Sequence, residues 1–150
     1  MAKELKRNYF YIMIPALLGL VAVYAIKALD LASGTPIQGW AAPGFLAPLV
    51  FVLSVVFAVA LPIFYRSVFA HRMREAKTVP EKDWFKFERT LIHISLVTPY
   101  LILPAYLLEF PRFYFAGTVL MALYASYYFY PSARRIQFER RMFRVGKEMS

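Results

Sequence analysis

Long apolar stretches separated by short polar segments dominate the pattern of this chain. Each stretch is free of Lys, Arg, Asp and Glu, and the four of them cover Tyr9–Ile26, Phe45–Tyr65, Thr90–Leu108 and Phe113–Ser132. At a rise of about 1.5 Å per residue, helices of this length cross a hydrocarbon layer of about 30 Å, and the first extends to about residue 28. The pattern therefore predicts an all-α membrane protein, a bundle of four transmembrane helices.

Composition agrees with this interpretation. Of the 150 residues, 60% are hydrophobic, and the mean hydropathy is +0.49. An average soluble domain is only about 45–50% apolar. The spans leave about 70 residues outside the hydrocarbon, and no single connection is long enough to build a soluble domain with its own core. We therefore predict one integral membrane domain over residues 1–150.

Positive charge is distributed unevenly among the polar segments. Of the 18 Lys and Arg residues, all but Lys27 and Arg112 lie in residues 1–8, 66–89 and 133–150. Four spans would place these three segments on the same side, and basic short segments stay in the cytoplasm. The sequence thus predicts a protein of a bacterial or archaeal cytoplasmic membrane, with both termini in the cytoplasm. This topology accounts for the net charge of +9 without a nucleic-acid partner.

The connection between the second and third spans, residues 66–89, is predicted to be a basic helical hairpin. Residues 65–77 contain no Gly or Pro, so the second helix can continue past the membrane. The segment from Thr78 to Glu81 has the form of a capping box, which predicts Thr78 as the N-cap of the third helix. The aromatic residues after this start are expected to form a belt at the inner headgroups: Trp84, Phe85 and Phe87.

The tail, residues 133–150, is predicted to be a basic amphipathic helix that follows a kink at Pro131. Phe138, Met142 and Val145 recur at i, i+4 and i+7, which predicts a single apolar face. Helices two, three and four are therefore all expected to extend into the cytoplasm.

The two outer connections differ in length. Leu29–Gly44 is rich in Gly and Pro and contains Trp40, which predicts an irregular loop near the membrane interface. Glu109–Arg112 is very short, so spans three and four are expected to be adjacent and antiparallel.

Arginines of the basic segments are the candidate contacts for a partner. Clusters of this kind at the inner leaflet attract anionic lipid, with about 1 kcal/mol for each residue, and they can equally bind an acidic protein. A plain topological charge bias is the other explanation. The candidate residues are Arg72, Arg74, Arg134, Arg135, Arg140, Arg141 and Arg144.

Small residues recur at four-residue spacing on two spans. Ser54 and Ala58 do so on the second span, and Thr118, Ala122 and Ser126 on the fourth. Small side chains at this spacing let helix backbones approach closely. We predict that they mediate helix packing, either within the monomer or between copies in a homo-oligomer.

His93 is the only titratable side chain well inside a span, which makes it a candidate intramembrane polar site. Together with kinks at Pro99 and Pro104, it could line a solute path. It could also bind a haem with a second axial ligand, His71 or Met121. Packing of a neutral imidazole is the simpler interpretation.

No catalytic, cofactor or metal-binding residue is predicted. The chain has no Cys, no G-x-S-x-G, no H-E-x-x-H and no P-loop. We expect a non-enzymatic membrane subunit or scaffold whose basic cytoplasmic helices contact anionic lipid or an acidic partner. The alternatives are a small oligomeric transporter or channel, and a haem- or quinone-linked electron-transfer subunit.

Overall fold

The structure, a computed structural model, describes residues 2–33, 43–76 and 78–146. Within these ranges the chain is helical, which confirms the predicted all-α class, and its one β-bridge is isolated. Most of the predicted loop 29–44, including Trp40, lies outside the described residues, as do residues 147–150. The five helices are α1 (Ala2–Ser33), α2 (Leu46–Arg72), α3 (Glu81–Leu107), α4 (Arg112–Tyr128) and α5 (Ala133–Met142).

Three helices of the described chain are long and apolar enough to cross a membrane. They cover Ala2–Asp30, Leu46–Arg72 and Glu81–Leu107. The helix of the fourth apolar stretch, α4, has 17 residues and is therefore about 26 Å long, near the lower limit for a crossing. The long apolar helices indicate a membrane protein.

Prolines interrupt the regular hydrogen bonding of α2 and α3. A π-helical turn in α2 ends just before Pro62, and the two breaks in α3 lie three residues before Pro99 and Pro104. A proline has no N–H to donate, and its ring clashes with the carbonyl four residues earlier, so irregular turns arise at these points. The segments are Leu46–Val55, Val56–Ala60 and Leu61–Arg72 in α2, and Glu81–Ser95, Val97–Tyr100 and Ile102–Leu107 in α3.

The prediction that Thr78 caps α3 is wrong. The helix begins at Glu81 with Pro80 as its N-cap, and no side chain makes a capping bond there. The N–H of Val79 is donated instead to the carbonyl oxygen of Arg144, at 3.3 Å, in a bridge with the segment that follows α5. Because this pairing takes Val79 out of the helix, α3 starts two residues later than the capping box indicates.

The predicted kink at Pro131 is a complete break between two helices. α4 ends at Tyr128, because a proline cannot continue the helical hydrogen bonds and disfavours helical backbone in the residue before it. Ser132 then caps α5, and its hydroxyl accepts a hydrogen bond from the N–H of Arg135 at 3.2 Å. The fourth stretch, predicted over 113–132, is therefore a continuous helix only as far as residue 128.

One buried cluster joins the start of α1 to α3 and α5. Trp84 and Phe87 are fully buried, and the Phe87 ring stacks on Phe69 with the ring centroids 4.1 Å apart. Leu5 and Ile136 belong to the same cluster. The predicted aromatic belt is therefore wrong for Trp84 and Phe87, which lie in the protein core instead of facing headgroups.

The helices have a basic end and an end with few charges. The buried cluster brings together parts of residues 1–8, 66–89 and 133–150, the three segments that hold most of the Lys and Arg. Near the opposite end Lys27 donates to the carbonyl oxygen of Tyr106 at 2.8 Å and pairs with Glu109 at 2.9 Å. The uneven charge of the sequence thus corresponds to a polarity of the folded molecule.

One face of α5 packs against the rest of the protein. Ile136 and Glu139 are buried, whereas Phe138 and Met142 are 66% and 51% exposed. Of the apolar face predicted from periodicity, Phe138 and Met142 therefore point outward, and Val145 packs against the buried cluster.

Candidate functional site

Four charged side chains from three helices meet at the basic end. Arg135 of α5 donates from Nη2 to Oε2 of Glu88 on α3 at 3.1 Å, and from Nε to Oε1 of Glu139 at 3.1 Å. Arg66 of α2 pairs with the same Glu139 oxygen and also donates to the hydroxyl of Tyr128, at 3.4 Å. We refer to Arg66, Glu88, Arg135 and Glu139 as the ion-pair network.

The ion-pair network is largely shielded from water. The side chains of Glu88 and Glu139 are only 2% and 4% exposed, and those of Arg135 and Arg66 are 15% and 25% exposed. Buried charges of this kind are tolerated only when they are paired, because desolvation costs several kcal/mol for each ion. Two arginines and two glutamates balance one another, so the network adds no net charge to the basic end.

Burial also affects the titration of the network. Desolvation lowers the pKa of the Arg135 guanidinium, and the Glu88 carboxylate opposes this shift. The guanidinium lies over the ring of Phe129, 5.3 Å from its centroid, which adds a cation–π contact. An arginine remains protonated in such a setting, so the Arg135 side of the network stays charged.

Arg140 is held in a second ion pair. Its Nη2 lies 2.9 Å from Oε1 of Glu81, the first residue of α3, and its guanidinium lies 5.9 Å from the centroid of the Trp84 ring. Both partners are about one third exposed, so the pair adds less to stability than the buried network does.

The seven arginines predicted to contact an anionic partner therefore divide into two groups. Arg135 and Arg140 are occupied by carboxylates of the protein itself. The remaining five are exposed at the basic end and have no carboxylate partner among the described residues: Arg72, Arg74, Arg134, Arg141 and Arg144. Only this second group is placed to meet a partner.

An open cleft of about 580 Å³ lies beside the ion-pair network. Arginines and apolar side chains line it together, and no acidic residue is among its described lining residues. Its lining residues include Arg66, Met73, Arg74, Val79, Phe143 and Arg144. Because Glu139 neutralises Arg66, the excess positive charge of the cleft comes from Arg74 and Arg144.

The predicted intramembrane histidine faces outward. His93 is exposed, and its Nδ1 lies 2.7 Å from the carbonyl oxygen of Arg89 in the preceding turn. His71 is exposed near the end of α2, and Met121 packs against the buried cluster.

The small residues of α2 and α4 lie between helices. Ser54, Ala58, Thr118 and Ala122 are buried within the single chain. Ser126 is half-buried, and its carbonyl oxygen accepts a hydrogen bond from the hydroxyl of Tyr9 on α1. The four buried positions contact neighbouring helices of the same chain, as packing inside the monomer requires.

Two hydroxyl groups in α3 are buried without a hydrogen-bond partner among the described residues. Ser95 and Thr98 are fully buried and flank the break before Pro99. By contrast, the buried hydroxyl of Thr118 donates to the carbonyl oxygen of Tyr114 at 2.8 Å. An unsatisfied hydroxyl in an apolar interior is costly, so Ser95 and Thr98 mark a polar position of α3 that packing does not explain.

Sequence reasoning missed the ion-pair network, although a signal was present. Trp84, Phe87 and Leu91 lie at i, i+3 and i+7, and this spacing places Glu88 on their apolar face. A glutamate on an apolar helix face indicates a buried partner for its charge, and Arg135 supplies it.

No protein-family model, curated protein or solved structure matches this chain. Within residues 2–33, 43–76 and 78–146, no group of three or more His, Asp and Glu is arranged to hold a metal ion. Function is therefore inferred from the basic end itself.

Proposed function

We propose that the chain is a non-enzymatic, four-span protein of a bacterial or archaeal cytoplasmic membrane whose basic inner end binds anionic phospholipid headgroups. In this proposal α4 is the fourth crossing, and both termini face the cytoplasm with the ion-pair network. The positive-inside rule supports this orientation, because the exposed arginines other than Arg112 gather at one end of the helices.

The composition of the exposed face of α5 is the observation that carries the proposal. Phe138 and Met142 are exposed there beside the exposed Arg134 and Arg141. Arginines near a membrane surface attract anionic headgroups, and exposed large apolar side chains beside them mark a surface that contacts another molecule, such as a lipid bilayer.

The ion-pair network supports the same function indirectly. It fixes α5 against α2 and α3, so that α5 presents its arginines from a rigid platform. Arg135 and Arg140 are excluded from the proposed contact because their charges are already paired.

Lipid-dependent stability tests the proposal. The protein is purified in maltoside, and the thermal midpoint of unfolding is followed as phosphatidylglycerol or phosphatidylcholine is added. We expect phosphatidylglycerol to stabilise the protein more, because a ligand of the folded state raises its stability by mass action. The Arg134→Gln, Arg141→Gln variant should bind phosphatidylglycerol about thirtyfold more weakly, at about 1 kcal/mol for each arginine.

Arg112→Gln is the control, because Arg112 is exposed and lies at the opposite end of the molecule. It should leave the phosphatidylglycerol response unchanged. Equal stabilisation by the two lipids, or equal weakening by the control, contradicts the proposal. Copurification of an acidic protein that the double variant releases would favour the protein-partner alternative.

A small transporter or channel is the second candidate, and the unpartnered hydroxyls of Ser95 and Thr98 favour it. Polar groups beside a proline break in a spanning helix can line a solute path. A liposome flux assay separates the candidates, since solute movement that Thr98→Val abolishes would support transport over a lipid-contact role.

A further inference from the structure

The segment after α5 adopts a backbone that an arginine rarely adopts. Arg144 has a φ of 49°, in the left-handed region that favours glycine. It follows the last turn of α5, where its N–H bonds the carbonyl oxygen of Arg141 and the N–H of Val145 bonds that of Arg140. This is the Schellman ending of a helix, in which the residue at this position is usually Gly.

Helix α3 ends in the same way, and there the contact made by the charged residue explains why glycine is not used. Glu109 after α3 has a φ of 50°, and Phe110 and Glu109 donate their N–H groups to the carbonyl oxygens of Ala105 and Tyr106. The strained position holds a charged side chain that pairs with Lys27 at 2.9 Å. Glycine would fit the backbone better but would remove this pair.

Arg144 has the same strained geometry but no carboxylate partner among the described residues. Arg144 lines the cleft together with Arg74, from the segment after α2. The carbonyl oxygen of Arg144 also accepts the N–H of Val79, another lining residue. Two backbone constraints thus fix the Arg144 backbone at the cleft, and strain of this kind is concentrated at ligand-binding sites.

We infer that the cleft binds a phosphate group between Arg74 and Arg144, and that it takes the phosphate of an amphiphile. Guanidinium groups match phosphate geometry and form charge-assisted hydrogen bonds with it. The apolar wall formed by Met73, Val79, Met142 and Phe143 suits the uncharged part of such a molecule. This inference rests on the proposed function and names one defined site within the basic end.

Binding of two phosphate probes tests the inference. Glycerol 3-phosphate and dihexanoyl phosphatidic acid are titrated against the full chain in maltoside, and binding is followed by ³¹P NMR. We expect phosphatidic acid to bind and Arg144→Gly to weaken it at least tenfold. Arg74→Gln should have a similar effect. Because glycine suits a left-handed backbone, Arg144→Gly should raise the thermal midpoint, so misfolding cannot account for lost binding.

Arg72→Gln is the matched control, because Arg72 is exposed and close in sequence but is not among the cleft residues. It should change affinity less than twofold. Binding of phosphatidic acid alone identifies a lipid headgroup, and equal binding of glycerol 3-phosphate identifies a soluble phosphate ester.

The inference is overturned if Arg144→Gly leaves the affinity for phosphatidic acid unchanged, or if Arg72→Gln lowers that affinity as much as Arg144→Gly does. The broader proposal fails separately, through equal stabilisation by phosphatidylglycerol and phosphatidylcholine. A third outcome separates the two sites. If the Arg134→Gln, Arg141→Gln variant loses its stabilisation by phosphatidylglycerol while Arg144→Gly keeps its affinity for phosphatidic acid, lipid contact on α5 stands and the cleft site is ruled out.

Discussion

Arg135 donates to Glu88 across 47 residues of sequence, and the two side chains, 3.1 Å apart, join α5 to α3 in a nearly dry environment. Glu139 receives the other arm of the same guanidinium and also pairs with Arg66 of α2. The position of α5 is therefore set by charge pairing as well as by apolar contact. Every proposal about the basic end depends on this arrangement.

Removing Glu88 should destabilise the protein strongly. Glu88→Ala leaves the buried Arg135 with fewer carboxylate contacts, and loss of one partner of a buried pair costs about 3–5 kcal/mol. Thermal or denaturant unfolding in maltoside measures the change. Glu81→Ala is the control, because its pair with Arg140 is partly exposed and should contribute less than about 1 kcal/mol. Equal losses in the two variants would mean that the network is not a buried joint.

Replacing the unpartnered hydroxyl of Thr98 should leave stability unchanged or raise it. Thr98→Val keeps the shape of the side chain and removes a buried oxygen that has no partner among the described residues. Thr118→Val should instead cost about 1 kcal/mol, since it removes a hydrogen bond to Tyr114. A clear loss of stability in Thr98→Val would indicate that this hydroxyl holds a water or a solute, which would favour transport.

A close approach between α2 and α4 depends on Gly117. A Cβ added there would lie 2.4 Å from Cε2 of Phe51, too close for any real contact. We expect Gly117→Ala to destabilise the protein by about 1–3 kcal/mol, even though alanine favours a helix. Adding Phe51→Leu should recover part of the loss.

Gly19→Ala serves as the comparison for Gly117, because its new Cβ would meet only the end of the Leu103 side chain at 3.3 Å. It should be close to neutral in the same unfolding assay. A neutral Gly117→Ala would show that α2 and α4 are farther apart than described.

Local patterns in the sequence predicted the positions of the helices well, but not the contacts that form between segments distant in sequence. Apolar runs without charge gave the positions of α1, α2 and α3, because a helix in lipid must satisfy its own backbone. Pro131 was predicted to bend a helix but ends it, and Thr78 has the form of a cap but lies beside a bridge to the segment after α5. The first outcome is a local effect of the proline, whereas the second depends on a contact distant in sequence.

The arginines show why the candidate site could be predicted only in part. Composition does not distinguish Arg134 from Arg135. In the structure, however, Arg134 is exposed and Arg135 is paired with Glu88 and Glu139. The difference is one of helix face, and composition alone does not show which face of α5 packs against the protein. Glu88 on an apolar face was the signal that could have identified the paired arginine.

The central claim is that four crossings place both termini and the ion-pair network in the cytoplasm. The chain has no Cys, so single cysteines can be introduced at exposed sites: Lys3→Cys, Arg112→Cys and Arg141→Cys. Each variant is treated with a membrane-impermeant maleimide in intact cells and after permeabilisation. We expect Arg112→Cys to react in intact cells, and the other two to react only after permeabilisation. Labelling of Lys3→Cys and Arg141→Cys on opposite sides, as three crossings would produce, contradicts the account.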